Sequence, residues 1–464
     1  MEQAFLDQLR AITGENGVLS GDDVTSRTTG FFPPDKTLAQ HLVRPRNTAE
    51  VAAVMKLAHA ARQPVVTHGG RTGLVHGADS HPGDLILSLE LMNRIEEIDP
   101  VQRIALAQAG VTLQAIQEAA EGHDLMFPLD LGARGTATIG GNVATNAGGN
   151  RVIRYGMTRA MVLGLEAVLA DGTVVSSLNR MIKNNAAYDL KQMFIGSEGT
   201  LGVVTRVVLR LFERPRSQDV ALVGIGAFSQ VTGFLKHMDR ALGGGLSAFE
   251  VMWREFYVSV TSPPATGTPP LAQTYPFYVL VEAQGADAER DAARFSEALE
   301  SAHEEGLIVD AVVAQSDRER GALWGLRDDV GQMMQYGVAF VFDVSLPTAA
   351  MEAYIAGVRA ALTARWPVHR CWVFGHLGDG NLHFNVATQE GFPAAAAFDR
   401  EPQINDIVYT AVARHGGSIS AEHGLGQLRR ELAQRTKPAA ELAMMRSVKQ
   451  ALDPLGLMNP GKLI

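Results

Sequence analysis

An α+β protein of more than one domain is what this sequence predicts, and three observations carry the prediction. At 464 residues the chain exceeds what one small core organises. Short β-rich runs alternate with stretches of helical spacing, and one pair of runs is joined by Asp171-Gly172, a hairpin signal. A polar, proline-broken segment, Glu213-Arg214-Pro215-Arg216-Ser217, divides the patterned sequence into two regions.

Residues 1 to about 35 read as a helical leader ending in a turn at Phe32-Pro33-Pro34. Thr48 is the expected N-cap of a helix through Ala58, and Pro64 to Thr67 a short buried strand running into Gly69-Gly70. Strands are expected at 85–89 and 104–107, a helix at 111–120, and a hairpin of 166–169 with 173–175. A strand at 203–211 closes the first region. After a Pro-rich loop at 261–270, strands are expected at 278–282, 308–313 and 339–343, with helices at 286–303, 316–335 and 348–364. Two apolar stretches, Cys371 to Phe374 and Phe384 to Val386, flank a histidine-bearing turn, and this order suggests a mainly antiparallel sheet covered by helices. The expected divisions are 1–37, 38–216, 217–415 and 416–464.

Hydrophobic content of 46% and charged content of 20% describe an ordinary globular chain. A net charge of −9 argues against a partner held by its phosphate backbone, so no nucleic acid is expected. Cys371 is the single cysteine, which excludes a disulfide framework and cysteine-held iron–sulfur clusters. No apolar run reaches the length of a bilayer span, and Met1-Glu2-Gln3 lacks the basic start of a signal peptide. A cytoplasmic location is expected.

Two short stretches concentrate chemistry. Gly375-His376-Leu377-Gly378-Asp379-Gly380-Asn381-Leu382-His383 holds two imidazoles around a Gly/Asp/Asn turn, and Ala421-Glu422-His423-Gly424 sets a carboxylate beside a third. Histidines seven apart cannot share a helix face, but they converge if the segment between them turns. His and carboxylate suit a divalent first-row ion, and three protein ligands leave a position for substrate. The plainer alternative is a pair of loop histidines and one buried pair.

Three segments are nearly free of bulky side chains: His68 to Leu74, Leu131 to Asn150, and Gly196 to Gly202. Consecutive glycines let backbone N–H groups approach a phosphate, although a tight turn explains the first segment equally well. None of them is a G-x-G-x-x-G fingerprint opening a helix. Some twenty residues of Gly, Ala, Thr and Asn between well-patterned elements suit a segment that wraps a ligand. Three such segments point to a large cofactor with a pyrophosphate.

These segments, with Lys183-Asn184-Asn185 and Tyr188-Asp189-Leu190-Lys191, closely resemble the vanillyl-alcohol-oxidase/PCMH flavoprotein superfamily. Within it the chain resembles the FAD-linked D-2-hydroxy-acid dehydrogenases, the hydroxyglutarate branch above all, from about Arg44 to Asn459-Pro460-Gly461-Lys462. The resemblance implies a PCMH-type FAD-binding domain, an α+β cap domain for substrate, and a C-terminal segment that completes the active site. Gly69, Gly70, Arg71, Thr72, Gly73 and Leu74 would take the diphosphate. Pro128, Leu131, Gly132 and Thr136 would surround the rest, as would Gly140, Gly141, Asn142, Thr145, Asn146, Gly148 and Tyr155. Glu198, Gly199, Val203, Val204 and Asn459 complete that set. Arg71 stands where some relatives carry a flavin-linked His, so the FAD is expected to be non-covalent. His76 stands where relatives often have Gly, and nothing in the sequence explains it.

The resemblance makes His376, His383 and Glu422 ligands of a divalent metal, with Zn2+ the expected ion, and His423 the base. The reaction implied is oxidation of a small D-2-hydroxy acid to the 2-oxo acid by hydride transfer to flavin N5. Electrons would pass to an electron-transfer flavoprotein or a quinone, and a homodimer is the expected assembly. Arg327 matches the arginine that binds the substrate carboxylate; a surface ion pair with Asp328 or Asp329 is its plainer role. Asn385 matches a further substrate residue, or is an ordinary strand amide; His423 could instead stand behind the metal ligands. Gly331 and Val341 replace a Thr and a Lys common in the hydroxyglutarate branch, which leaves D-lactate and D-malate beside D-2-hydroxyglutarate as substrates. Two further readings stay open: a metal-free oxidase of the same fold, and the flavin subunit of a glycolate oxidase-like complex.

Overall fold

A computed structural model describes residues 1–30, 35–337, 339–388 and 398–464. The turn expected at Phe32-Pro33-Pro34 lies outside the described residues. The chain divides into two compact units. The first comprises 1–149, 156–214 and 422–464; the second comprises 150–155 and 215–421.

Among the described residues the first unit holds two larger sheets and two short two-stranded ones. In the four-stranded sheet β1 (Val18–Ser20), β2 (His41–Val43), β3 (Val65–His68) and β4 (Leu85–Ser88) run in the order β1-β2-β4-β3. The last three strands are mutually parallel, and β1 is antiparallel to β2. Residues 1–30, expected within a separate leader, pack in this unit: Leu6, Leu9 and Val18 bury their side chains in one core with Val43, Val54 and Leu85. A helix that closes its apolar face against such a core does not stand alone. The helix Thr48–Ala60 begins one residue earlier than expected: Asn47 is its cap, accepting from Glu50 N at 3.0 Å. Thr48 instead donates to Glu166 Oε1 at 2.6 Å.

The five-stranded sheet contains β5 (Ile95–Asp99), β6 (Ile104–Gln108), β7 (Val162–Val168), β8 (Val174–Ser177) and β9 (Val203–Arg210), in the order β8-β7-β9-β6-β5 and wholly antiparallel. The Asp171-Gly172 hairpin is present, with Asp171 Oδ1 accepting from Thr173 N at 2.8 Å. Val203 and Val204 point to opposite faces of β9 and enter different cores, as strand alternation requires.

The second unit is built on one seven-stranded sheet. Its strands are β10 (Ser217–Ile225), β11 (Leu246–Trp253), β12 (Phe277–Gly285), β13 (Asp310–Val313), β14 (Phe340–Ser345), β15 (Arg370–His376) and β16 (Asn381–Ala387). They run in the order β13-β10-β12-β11-β15-β16-β14, every pair antiparallel. On one face Val220, Leu222, Met252, Tyr278, Leu280, Trp372 and Phe374 form a core with Phe256, Tyr257 and Val260 of the helix Arg254–Thr261. Leu323 and Leu326 of the helix Asp317–Asp328 join the same core. The helix expected over 316–335 breaks at Asp329 and continues as a tighter turn, Val330–Tyr336. Among the described residues no helix is long and apolar enough to cross a membrane.

Candidate active site

Register determines which side chains of the seven-stranded sheet share a face. Directly opposed residues of an antiparallel pair project to the same side, as do residues i and i+2 of one strand. Glu250 on β11 faces His376 on β15; Phe374 faces His383 on β16; His383 faces Asp343 on β14; and Trp372 faces Asn385. Glu250, His376, His383, Asp343 and Asn385 therefore lie on the face that carries Met252, Trp372 and Phe374. The expected turn between the histidines is present: Leu377–Asp379 makes one tight turn ending at Gly380.

Arg327 reaches this face from the last turn of its helix. It is 5% exposed, so the alternative of a surface ion pair does not hold. Its Nε donates to Glu250 Oε2 at 2.7 Å, its Nη2 lies 3.3 Å from His376 Nε2, and its guanidinium stacks over Phe374 at 4.9 Å. Glu250 Oε1 meets His376 Nδ1 at 2.6 Å. Glu250 is completely buried. Burial would raise its pKa, but the His376 and Arg327 charges and hydrogen bonds outweigh that and hold it down to about 2.

A carboxylate only accepts, so Glu250 takes the Nδ1–H of His376, and in the neutral ring Nε2 carries the lone pair. His383 Nε2 lies 3.4 Å from that atom. Two nitrogens about 2.05 Å from one tetrahedral zinc stand about 3.3 Å apart, so the spacing fits a pair of ligands on a common ion. Behind His383, Nδ1 lies 3.9 Å from Asp343 Oδ1. Asp343 also accepts from Asn381 Nδ2 at 2.8 Å and, through Oδ2, from Ala421 N at 3.1 Å. Ala421 is the last residue of this unit. Burial pushes the Asp379 carboxyl up to about 6. Asn385 is buried, with Nδ2 on Met333 Sδ at 3.3 Å and Oδ1 unpartnered among the described residues. A buried amide left half-satisfied suits a polar ligand.

Glu422 and His423 open the C-terminal stretch of the first unit. There Glu422 lies against Gly148, where an added Cβ would stand 2.9 Å from Glu422 Oε2. Gly424 has φ of +84°, and a Cβ on it would meet Glu198 Oε1 at 2.7 Å. Only glycine makes that bend beside that carboxylate. Glu198 accepts from Leu425 N at 2.8 Å and Gly426 N at 2.7 Å, while burial raises its pKa.

The small-residue segments converge within the first unit. A Cβ on Gly70 would lie 2.1 Å from Thr136 O, so two backbones touch where glycine is required. Glu198 N donates to Ala144 O at 2.8 Å, which joins the second segment to the third. Asn459 ties the tail to both: Thr67 N donates to its Oδ1 at 2.9 Å and its Nδ2 donates to Glu198 O at 2.6 Å. Gly132, Thr136 and Gly73 are exposed, and Arg71, Thr72, Leu74, Leu131, Gly141, Thr145 and Asn146 half-buried. Pro128, Gly140, Asn142, Gly148, Glu198, Gly199, Val203, Val204 and Asn459 are buried. Asn142 Nδ2 and His68 Nδ1 are buried without a partner among the described residues. A backbone cradle with orphaned buried polar atoms fits a polar cofactor such as FAD. His76 pairs with Asp79 at 2.8 Å, which gives it a structural role. Tyr155, expected beside the FAD, belongs to the second unit, where its hydroxyl donates to Gln284 Oε1 at 2.9 Å.

Sequence reasoning missed Glu250 and Asp343. The available signal was a lone acid in an otherwise apolar strand: Ala248-Phe249-Glu250-Val251-Met252 and Val341-Phe342-Asp343-Val344.

Residues 214–463 match the family model described as FAD linked oxidases, C-terminal domain, and residues 39–177 match the FAD binding domain. D-2-hydroxyglutarate dehydrogenase of Xanthomonas citri pv. viticola is 39% identical over 90% of this chain and 88% of its own. The mitochondrial D-2-hydroxyglutarate dehydrogenase of Bos taurus is 41% identical over 91% of this chain and 76% of its own. That of Stutzerimonas stutzeri is 32% identical over 100% of this chain and 99% of its own. In fold the chain is similar to p-cresol methylhydroxylase with substrate bound (TM-score 0.79, 15% identity, 100% of this chain and 97% of that one). It is similar also to alkyldihydroxyacetonephosphate synthase (TM-score 0.75, 15% identity, 99% and 85%). The matched models and relatives establish that this chain is an FAD-dependent dehydrogenase of the FAD-linked oxidase family to which the D-2-hydroxyglutarate dehydrogenases belong.

Proposed function

We propose that the chain oxidises D-2-hydroxyglutarate to the 2-oxo acid, with His376, His383 and Glu422 holding a divalent metal and His423 acting as base. The observation that carries this reading is the buried cluster in which two imidazole Nε2 atoms stand 3.4 Å apart with the Arg327 guanidinium at their side. One face of the sheet thus offers imidazole nitrogens next to a fork for a carboxylate, suited to the adjacent hydroxyl and carboxylate of a 2-hydroxy acid.

Arg327 binds the substrate carboxylate through the Nη edge, since Nε is committed to Glu250. Asn385, on the same face of the sheet, is proposed as a further polar contact for the substrate. His376, His383 and Glu422 would hold a divalent ion, Zn2+ being the ion proposed, which would supply Lewis acidity toward the substrate hydroxyl. His423 then takes the hydroxyl proton. Gly69 to Leu74 and the segments 131–156 and 198–204 would hold FAD, which would supply the acceptor for the C2 hydrogen and its electron pair. The alcohol loses one proton and one hydride, and the 2-oxo acid leaves. An electron-transfer flavoprotein or quinone is the proposed acceptor, a homodimer the proposed assembly and the cytoplasm the proposed location.

The test is anaerobic titration of the yellow holoenzyme. D-2-hydroxyglutarate should bleach the flavin with one equivalent of 2-oxoglutarate formed. Bleaching by D-lactate or D-malate alone would move the substrate; none with any of the three sinks the reading.

A further inference from the structure

Glu250 lies outside every residue given a role in the proposed reaction, yet it is bonded to both Arg327 and His376. It sits at the centre of β11, fully buried, and spends one oxygen on each partner: Oε2 on Arg327 Nε at 2.7 Å and Oε1 on His376 Nδ1 at 2.6 Å. The partners are 77 and 126 residues away in sequence, so nothing local imposes the arrangement. A fully buried carboxylate is retained only where it is paired, and removing one partner leaves an uncompensated charge.

We infer that Glu250 is a positioning residue that sets two sites at once: it aims the Arg327 fork at the substrate carboxylate and holds the His376 tautomer whose Nε2 binds a metal. The inference rests on the proposed reading of Arg327 and His376. The bond to Nε fixes the plane of the guanidinium and turns the Nη1 and Nη2 edge away from Glu250; a carboxylate that engages this edge bidentately takes Nη2 from its present place 3.3 Å from His376 Nε2. The bond to Nδ1 orients the ring and raises the basicity of Nε2, as a carboxylate behind a metal-bound histidine does. Arg327 over the Phe374 ring at 4.9 Å and the tilted Phe374–His383 ring contact at 5.0 Å add packing to the same arrangement. One carboxylate serving both ends makes the two binding events depend on a single residue that touches neither ligand.

Glu250→Gln separates this from a merely structural role. A carboxamide carries one acceptor and one donor end, so it can satisfy Arg327 Nε–H or His376 Nδ1–H but not both. Glu250→Asp keeps the charge and is the companion variant in case the Gln form does not fold, because an acid one methylene shorter cannot span both partners. Both would be purified with FAD, and flavin content and thermal midpoint would show that they are folded.

Two readouts other than turnover are then taken: Zn(II) affinity by chelator competition, and 2-oxoglutarate affinity from the flavin absorbance change. Expected are a loss of about 10- to 100-fold in Zn(II) affinity and about 10-fold or more in 2-oxoglutarate affinity in at least one folded variant. Zn(II) and 2-oxoglutarate affinities both within twofold of wild type would overturn the inference. If the unsubstituted enzyme fails to bind Zn(II), the metal part of the proposed function fails. The arginine arm is still decided by 2-oxoglutarate.

Discussion

Glu250 and His376 are register partners on adjacent antiparallel strands, and the carboxylate of one meets Nδ1 of the other at 2.6 Å. That contact orients the His376 ring, because an acceptor on Nδ1 turns Nε2 toward the site. The other oxygen of Glu250 holds Arg327 Nε at 2.7 Å on the same buried face.

Arg327→Lys should keep the positive charge and lose the fork. A lysine ammonium cannot hold Glu250 and a substrate carboxylate in one plane. Substrate affinity is expected to fall about 10- to 100-fold, the equivalent of one or two charge-assisted hydrogen bonds. FAD content should not change. Anaerobic titration with 2-oxoglutarate checks this, and equal affinities would count against the assignment of Arg327.

His423→Asn removes the proposed base and leaves the metal donors in place. The rate of flavin reduction in single turnover should fall by about 10²- to 10⁴-fold. Substrate affinity should change far less. A reduction rate within threefold of wild type would move the base elsewhere.

Chelation separates the metal from the flavin. Dialysis against EDTA should remove most turnover and leave the flavin absorbance intact, and Zn(II) should restore activity. Full activity in the stripped holoenzyme would contradict the metal assignment of His376, His383 and Glu422.

Asn459→Ala tests the tail. Asn459 adopts φ of +43°, accepts from Thr67 N and donates to Glu198 O. Asparagine tolerates that conformation and alanine does not, and the change strands one buried donor and one buried acceptor. A stability loss of about 2 to 4 kcal/mol is expected, with earlier FAD release on heating, measured by thermal unfolding followed through flavin fluorescence.

His68 predicts a pH dependence. Burial lowers its pKa to about 4, helped by the nearby Arg71 and Lys462 charges and opposed by its bond to Ala78 O. The unfolded chain, with histidine near 6.5, therefore binds more protons than the native state between about pH 4 and 6.5, so stability rises with pH across that window. The stabilisation is complete above about pH 6.5 and lost as pH falls to about 4; its size is about 3 kcal/mol at most. His68→Gln, which can keep a donor toward Ala78 O, should flatten that slope in denaturant melts taken at several pH values.

Several features of this fold and site were legible locally. The Asp171-Gly172 hairpin, the buried strand into Gly69-Gly70 and the turn between His376 and His383 depend on residues adjacent in sequence, so their turn chemistry and periodicity can be read directly. The small-residue stretches announced backbone that must be approached closely, and the clash a Cβ would make at Gly70 is that requirement in atoms.

What the sequence by itself determined was chemistry: a metal-suited set of imidazoles and a carboxylate, an arginine fork, and cofactor-wrapping glycine segments. What only the tertiary structure decided was which strands lie side by side. The order β12-β11-β15-β16-β14 brings Glu250 and Asp343 behind the histidines from 126 and 40 residues away (383 minus 343 for the second). It also buries Arg327 against Glu250. Strand pairing is set by burial of whole faces and not by any local pattern, and shifting a register by one residue would send every one of these side chains to the other side of the sheet.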